Sequence, residues 1–193
     1  MSLTERPGFL RLKGKESLGS WFEQALVARR QQAFRFIAET RLEFSPTNFQ
    51  QAAGLVSYYN THKYHYCYVS VDESGQRFVD IMSCEAREDW ASTFPLSDGH
   101  SGTYRIAERR KLPADGPVWL RAEVDQQALV FSFSTDGSNW NKLPVVLDQS
   151  LISDEAGKGE GASFTGAFIG MACQDTSGQD CPADFDYFEY REL

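Results

Sequence analysis

The sequence predicts an all-β chain folded as a two-sheet antiparallel β-sandwich, and three observations carry that expectation. Apolar residues recur with a period of two, the alternating stretches are separated by short polar turns, and no long stretch keeps the 3.6-residue period of a helix. About ten or more short strands of this kind need two packed sheets to bury their apolar faces.

Taken in chain order, the stretch Leu10 to Arg30 reads as short strands. Leu18 to Arg30 imitates an amphipathic helix, but Gly14 and Gly19 weaken that reading. Phe34, Phe36, Ala38, Thr40, Leu42 and Phe44 alternate with charged or opposite-facing neighbours, so the expected strand buries that whole set, Phe34 included. Leu55 to Tyr59 and Tyr64 to Val71 are rich in aromatic and β-branched types, and Asn60-Thr61-His62-Lys63 between them has the length of a hairpin turn. Asp72-Glu73-Ser74-Gly75 reverses the chain into Arg77 to Ser83. Val118 to Val124 and Leu129 to Ser134 alternate again, the second running into Asp136-Gly137, a dipeptide suited to a tight turn because glycine takes positive φ cheaply. Phe164 to Cys173 and Phe185 to Arg191 supply two closing strands. Glu85 to Ser101 and Asp148 to Ser163 break the rhythm with Gly, Pro and polar residues and read as long loops.

At 193 residues, with 41% hydrophobic and 24% charged residues, the chain is sized for one globular domain with a sizeable core. The expected division is a leader or cloning remnant over residues 1–5 and a single sandwich over 6–193. A net charge of -8 makes nucleic acid and anionic membrane surfaces poor partners. No run reaches the roughly 18 apolar residues of a spanning helix, and Met1 to Pro7 lacks the apolar core of a signal peptide. Cys67, Cys84, Cys173 and Cys181 are widely spaced with no C-x-x-C pair, which reads as free thiols in a cytoplasmic protein.

Chemistry-bearing patterns are few. His62, His65 and His100 do not have the spacing of a zinc site, and no nucleophile elbow, P-loop or dinucleotide glycine pattern is present. Carboxylates are plentiful, but in a chain of this charge they read as solvated surface. Tyr58, Tyr59, Tyr64, Tyr66 and Tyr68 fall on adjacent strands and suit either a core edge or a sugar-stacking platform. Asp184 and Asp186 alternate with Phe185 and Tyr187, so both carboxylates share a strand face and make a candidate structural Ca²⁺ site; no cofactor is otherwise required.

Six ordered motifs carry a further reading: Arg6-Pro7-Gly8-Phe9-Leu10-Arg11-Leu12, Ala28-Arg29-Arg30-Gln31-Gln32, Phe49-Gln50-Gln51-Ala52-Ala53-Gly54-Leu55, Tyr58-Tyr59-Asn60-Thr61, Phe164-Thr165-Gly166-Ala167-Phe168 and Ala183-Asp184-Phe185-Asp186-Tyr187-Phe188. Together they resemble the C-terminal β-sandwich module of the β-xylosidases of glycoside hydrolase family 43, over nearly the whole chain. The resemblance implies a concanavalin A-like jelly roll that, in the parent enzyme, follows a five-bladed propeller carrying the catalytic carboxylates. It further implies that one aromatic residue of the module reaches the mouth of the propeller pocket, and the matching position here is Phe164. On this reading the chain alone is inactive, and its partners are the propeller of the same parent chain and, through the parent active site, xylo-oligosaccharide. The parent's activity is that of a β-xylosidase, with α-L-arabinofuranosidase activity as a further expectation. A stand-alone carbohydrate-binding module and a structural homo-oligomerisation domain are the alternatives.

Overall fold

Alternation becomes burial most plainly where Arg35–Phe44 pairs with Val118–Asp125. Along the first of these strands every second residue, from Phe36 to Phe44, is buried, and Val118, Leu120, Ala122 and Val124 repeat the pattern beside it. The structure is a computed structural model and describes residues 1–85, 103–105, 109–156 and 165–193. Its strands are β1 (Leu10–Lys13), β2 (Ala25–Arg30), β3 (Arg35–Phe44), β4 (Gln51–Asn60), β5 (Lys63–Val71), β6 (Arg77–Glu85), β7 (Thr103–Arg105), β8 (Arg110–Lys111), β9 (Val118–Asp125), β10 (Ala128–Ser134), β11 (Asn141–Lys142), β12 (Leu147–Asp148), β13 (Phe168–Asp175) and β14 (Pro182–Glu192).

Among the described residues these form two antiparallel sheets. The first has the order β1-β14-β3-β9-β10-β11 with β12 also on β10; the second has the order β2-β13-β4-β5-β6-β7 with β8 also on β6. The core between them includes Phe36, Leu42, Leu55, Val69, Ile81, Leu120, Phe131 and Phe185, each shielded from water. Burial of this many large apolar side chains is the main favourable term in folding such a sandwich.

A second apolar layer lies on the other face of the second sheet. Tyr64, Tyr66 and Tyr68 pack there with Val56, Phe78 and Leu18, the last supplied by the β1–β2 connection. The three rings are 2%, 0% and 3% exposed, so they are core and not a sugar-stacking platform. Tyr66 donates its hydroxyl to the Ala172 carbonyl at 3.0 Å, which satisfies the one polar atom that burial would otherwise strand.

Two expectations are corrected. Phe34 is 80% exposed, because β3 starts one residue later and Arg35 already faces Asp125, the last residue of β9. Beyond that pair the contact continues only as a 2.7 Å hydrogen bond from the Gln126 amide to the Phe34 carbonyl, at the turn between β9 and β10. Residues 1–5 lie against β1: Ser2 bridges Arg11 through two backbone hydrogen bonds of 2.9 Å, and Glu5 pairs with Lys13 at 3.0 Å. The strand expected from Phe164 begins at Phe168, after Gly166 at φ +69°. Of the two expected long loops, residues 86–101 lie outside the described residues, while the stretch after Asp148 contains short 3₁₀ turns at Gln149–Leu151 and Asp154–Ala156.

Candidate functional site

The strand order sorts the connections onto two ends of the sandwich, and the ends differ in chemistry. One end gathers the turns around 45–50, 72–76, 113–117, 135–140 and 176–181. Its aspartates are spent on their own turns: Asp72 accepts from the amides of Ser74 and Gln76, Asp136 from those of Ser138 and Asn139, and Asp175 from those of Ser177 and Cys181. Such bonds hold the Asp136 carboxyl far below the usual carboxylate range. They leave no convergent site.

The other end gathers the described stretches 31–34, 126–127, 149–156 and 166–167 around an open cleft of ≈1020 Å³. Its floor is a buried polar network. The Gln149 amide donates to Ser57 Oγ at 2.9 Å and to Gln31 Oε1 at 3.1 Å, and His65 is hydrogen-bonded to Ser83 through Nδ1 and to the Asp148 carbonyl through Nε2. Ser57 and His65 come from β4 and β5, so the central strands of the second sheet hold the 3₁₀ turn at Gln149–Leu151 in place. On one wall Asp154 accepts from the Tyr59 hydroxyl and, at 3.1 Å, from the Gly166 amide. These bonds keep the Asp154 carboxyl below its ordinary range. Asp154 thereby ties together the two stems that flank residues 157–164.

Among the described residues lining the cleft, Asp154 and Glu155 alone carry charge, in a chain that is 24% charged overall. Gln31, Gln32, Gln126, Gln127 and Gln149 supply amides, and Phe34 supplies an exposed ring. The lining can offer neutral hydrogen bonds and apolar contact. Asp154 and Glu155 are neighbours in sequence, not a pair facing each other across a substrate, as two-carboxylate hydrolysis of a glycoside requires.

The residues singled out from sequence are not brought together. Phe164 lies outside the described residues; its described neighbours Gly166 and Ala167 line the cleft. His100 likewise lies outside them, and His62 and His65 are buried. Asp184 and Asp186 lie on the first sheet, away from the cleft. Asp184 accepts from Arg11 Nε at 2.7 Å, from Arg11 Nη2 at 2.8 Å and from Arg6 at 2.8 Å, while Asp186 accepts from Arg41 at 3.0 Å. Both carboxylates are thus paired with guanidinium groups, and no cluster of three or more candidate metal ligands occurs among the described residues. Sequence reasoning missed Tyr59 and Asp154 as partners, because their contact spans 95 positions and no local pattern links them. The paired glutamines at 31–32 and 126–127 were visible but carried no chemistry until the fold placed them side by side.

Comparison with known proteins agrees with the fold. The family model of the β-xylosidase C-terminal concanavalin A-like domain matches residues 1–191. A β-xylosidase of Bacillus subtilis is 42% identical over 191 residues, covering 99% of this chain and 33% of that protein. Xylosidase/arabinosidase 43B of Humicola insolens is also 42% identical, covering 98% of this chain and 34% of its own length. The crystal structure of a xylan β-1,4-xylosidase from Bacillus halodurans superposes with a TM-score of 0.87 at 37% identity, over 99% of this chain and 34% of that one. The chain thus spans about a third of the length of the relatives it matches, and it belongs to the C-terminal concanavalin A-like domain family of glycoside hydrolase family 43 β-xylosidases.

Proposed function

We propose that this chain serves a β-xylosidase as an accessory sandwich: it packs on the catalytic propeller of its parent chain and lends Phe164 to the mouth of the pocket that holds a terminal xylose. The observation that supports this reading most directly is the end-to-end match to relatives of which it covers only a third. The parent's substrates are xylo-oligosaccharides from xylan, and the name of the Humicola relative extends the reading to arabinofuranosides. An aromatic wall works by excluding water and holding the sugar, not by moving a proton.

In the full-length parent, Phe164→Ala is expected to lower kcat/KM for an aryl β-xyloside by about ten- to a hundredfold, the scale of a lost aromatic contact. The circular dichroism spectrum should be unchanged. Full activity in that variant returns the module to a purely structural role.

A further inference from the structure

The ladder between β13 and β4 runs from Asp175 opposite Gln51 to Phe168 opposite Tyr58 and stops there. Beyond it, the two residues before β13 are held by other means. The Gln31 amide donates to the Ala167 carbonyl at 2.9 Å, and the Gly166 amide donates to Asp154 Oδ1 at 3.1 Å. The same Asp154 oxygen accepts the hydroxyl of Tyr59, a ring only 3% exposed near the end of β4. One oxygen thus joins β4, the turn Asp154–Ala156 and Gly166. Asp72 and Asp136 close their own turns, whereas Asp154 reaches partners 95 and 12 positions away. At Gly166 the backbone bends through φ +69°, and a Cβ there would lie 3.0 Å from Arg30 Nη1, so glycine suits both the conformation and the space.

We infer that Asp154 is a positioning residue for xyloside hydrolysis by the parent: it fastens Gly166 to Tyr59 and so sets where the chain presents Phe164. The inference rests on the role proposed above for Phe164 and adds the group that fixes it. Phe164 precedes Gly166 by two residues, and two residues of fully extended chain span at most about 7 Å. Fixing Gly166 therefore confines the ring to a small region. What Asp154 supplies is an acceptor for two donors at one oxygen, Oδ1, and an amide side chain in its place would still offer that oxygen.

A double-mutant cycle in the full-length parent tests the assignment. Asp154→Ala is expected to lower kcat/KM for an aryl β-xyloside about fivefold, divided between kcat and KM as in Phe164→Ala. Where Phe164 is already alanine, the same change should cost less than about twofold more, because the ring it positions is gone. Asp154→Asn should restore activity to within about twofold of the parent, since both donors keep their acceptor. Tyr59→Phe removes one hydroxyl and leaves the backbone intact, so it should show the same dependence on Phe164 at smaller scale, and it decides the matter if Asp154→Ala does not fold. Unchanged activity in Asp154→Ala, an equal loss with and without the Phe164 ring, or an Asp154→Asn variant as impaired as Asp154→Ala each overturns the positioning role while leaving that of Phe164 standing. Full activity in Phe164→Ala overturns the accessory reading itself, and this inference with it.

Discussion

Asp184 shows how one carboxylate joins three segments of chain. Its two oxygens accept three hydrogen bonds from Arg6 and Arg11, and Arg6 reaches on to Glu43 while Arg41 links Glu43 to Asp186. The N-terminal segment is thereby bound to β3 and β14. Burial pushes the Asp184 carboxyl up, but the hydrogen bonds from Arg11 and Arg6 outweigh it and hold the group below the usual carboxylate range. A carboxyl depressed in the folded state contributes stability above its unfolded value and loses that contribution as pH falls through the folded one. Asp80 acts in the opposite sense: it is fully buried beside Arg109, burial raises it, and its charge costs stability as pH rises. Asp184→Asn is therefore expected to cost about 2 kcal/mol at pH 7, the scale of hydrogen bonds to a charged group, with the deficit shrinking below about pH 4. Urea midpoints of both proteins between pH 7 and pH 3 check this. A deficit that stays constant with pH would mean that the charge of Asp184 contributes nothing.

Among the elements, β5 shows what alternation conveys and what it hides. All nine of its residues are buried, so the strand has no solvent face. On one face Cys67 and Val69 enter the intersheet core, and on the other the tyrosines meet Val56, Phe78 and Leu18. β4 comes close enough for this only because Gly54 stands opposite Tyr68. A Cβ at Gly54 would lie 2.0 Å from the Cys67 carbonyl oxygen and 2.8 Å from Tyr68 Cα, both backbone atoms that cannot swing aside. Gly54→Ala should cost at least about 3 kcal/mol, at the top of the overpacking range, whereas Gly75→Ala, at φ +79° with nothing within 4 Å, should cost about 1 kcal/mol of backbone strain. Denaturant unfolding of the two variants decides it, and equal costs would discard the close approach of β4 and β5. The sequence made β3, β9 and β10 legible because each has one buried face in a regular pairing. It left β5 ambiguous, since a tyrosine row reads alike whether a connection covers it or water does. Phe34 continued the alternation of β3 by one residue, and no local pattern reveals where the neighbouring strand stops. The cleft was the least legible part, because it is assembled from three connections far apart in the chain.

At the scale of the whole molecule, the described carboxylates are arranged for structure. A hydrolase of glycosides needs two carboxyl groups held about 5 to 10 Å apart on either side of the scissile bond, one of them kept protonated near neutral pH. The described aspartates with resolved shifts are mostly pushed the other way, held ionised by turn amides or arginines, as at Asp72, Asp136, Asp154, Asp175 and Asp184. The exception, Asp80, is raised but enclosed on β6 and beyond the reach of substrate. In the cleft itself Asp154 is bound to Tyr59 and Gly166, which leaves Glu155 without a facing carboxylate among the described lining residues. The purified chain is therefore expected to release aryl alcohol from neither an aryl β-xyloside nor an aryl α-L-arabinofuranoside faster than buffer does. Turnover above buffer that disappears in Asp154→Asn or Glu155→Gln would place an active carboxylate within the sandwich and overturn the assignment of catalysis to the rest of the parent chain.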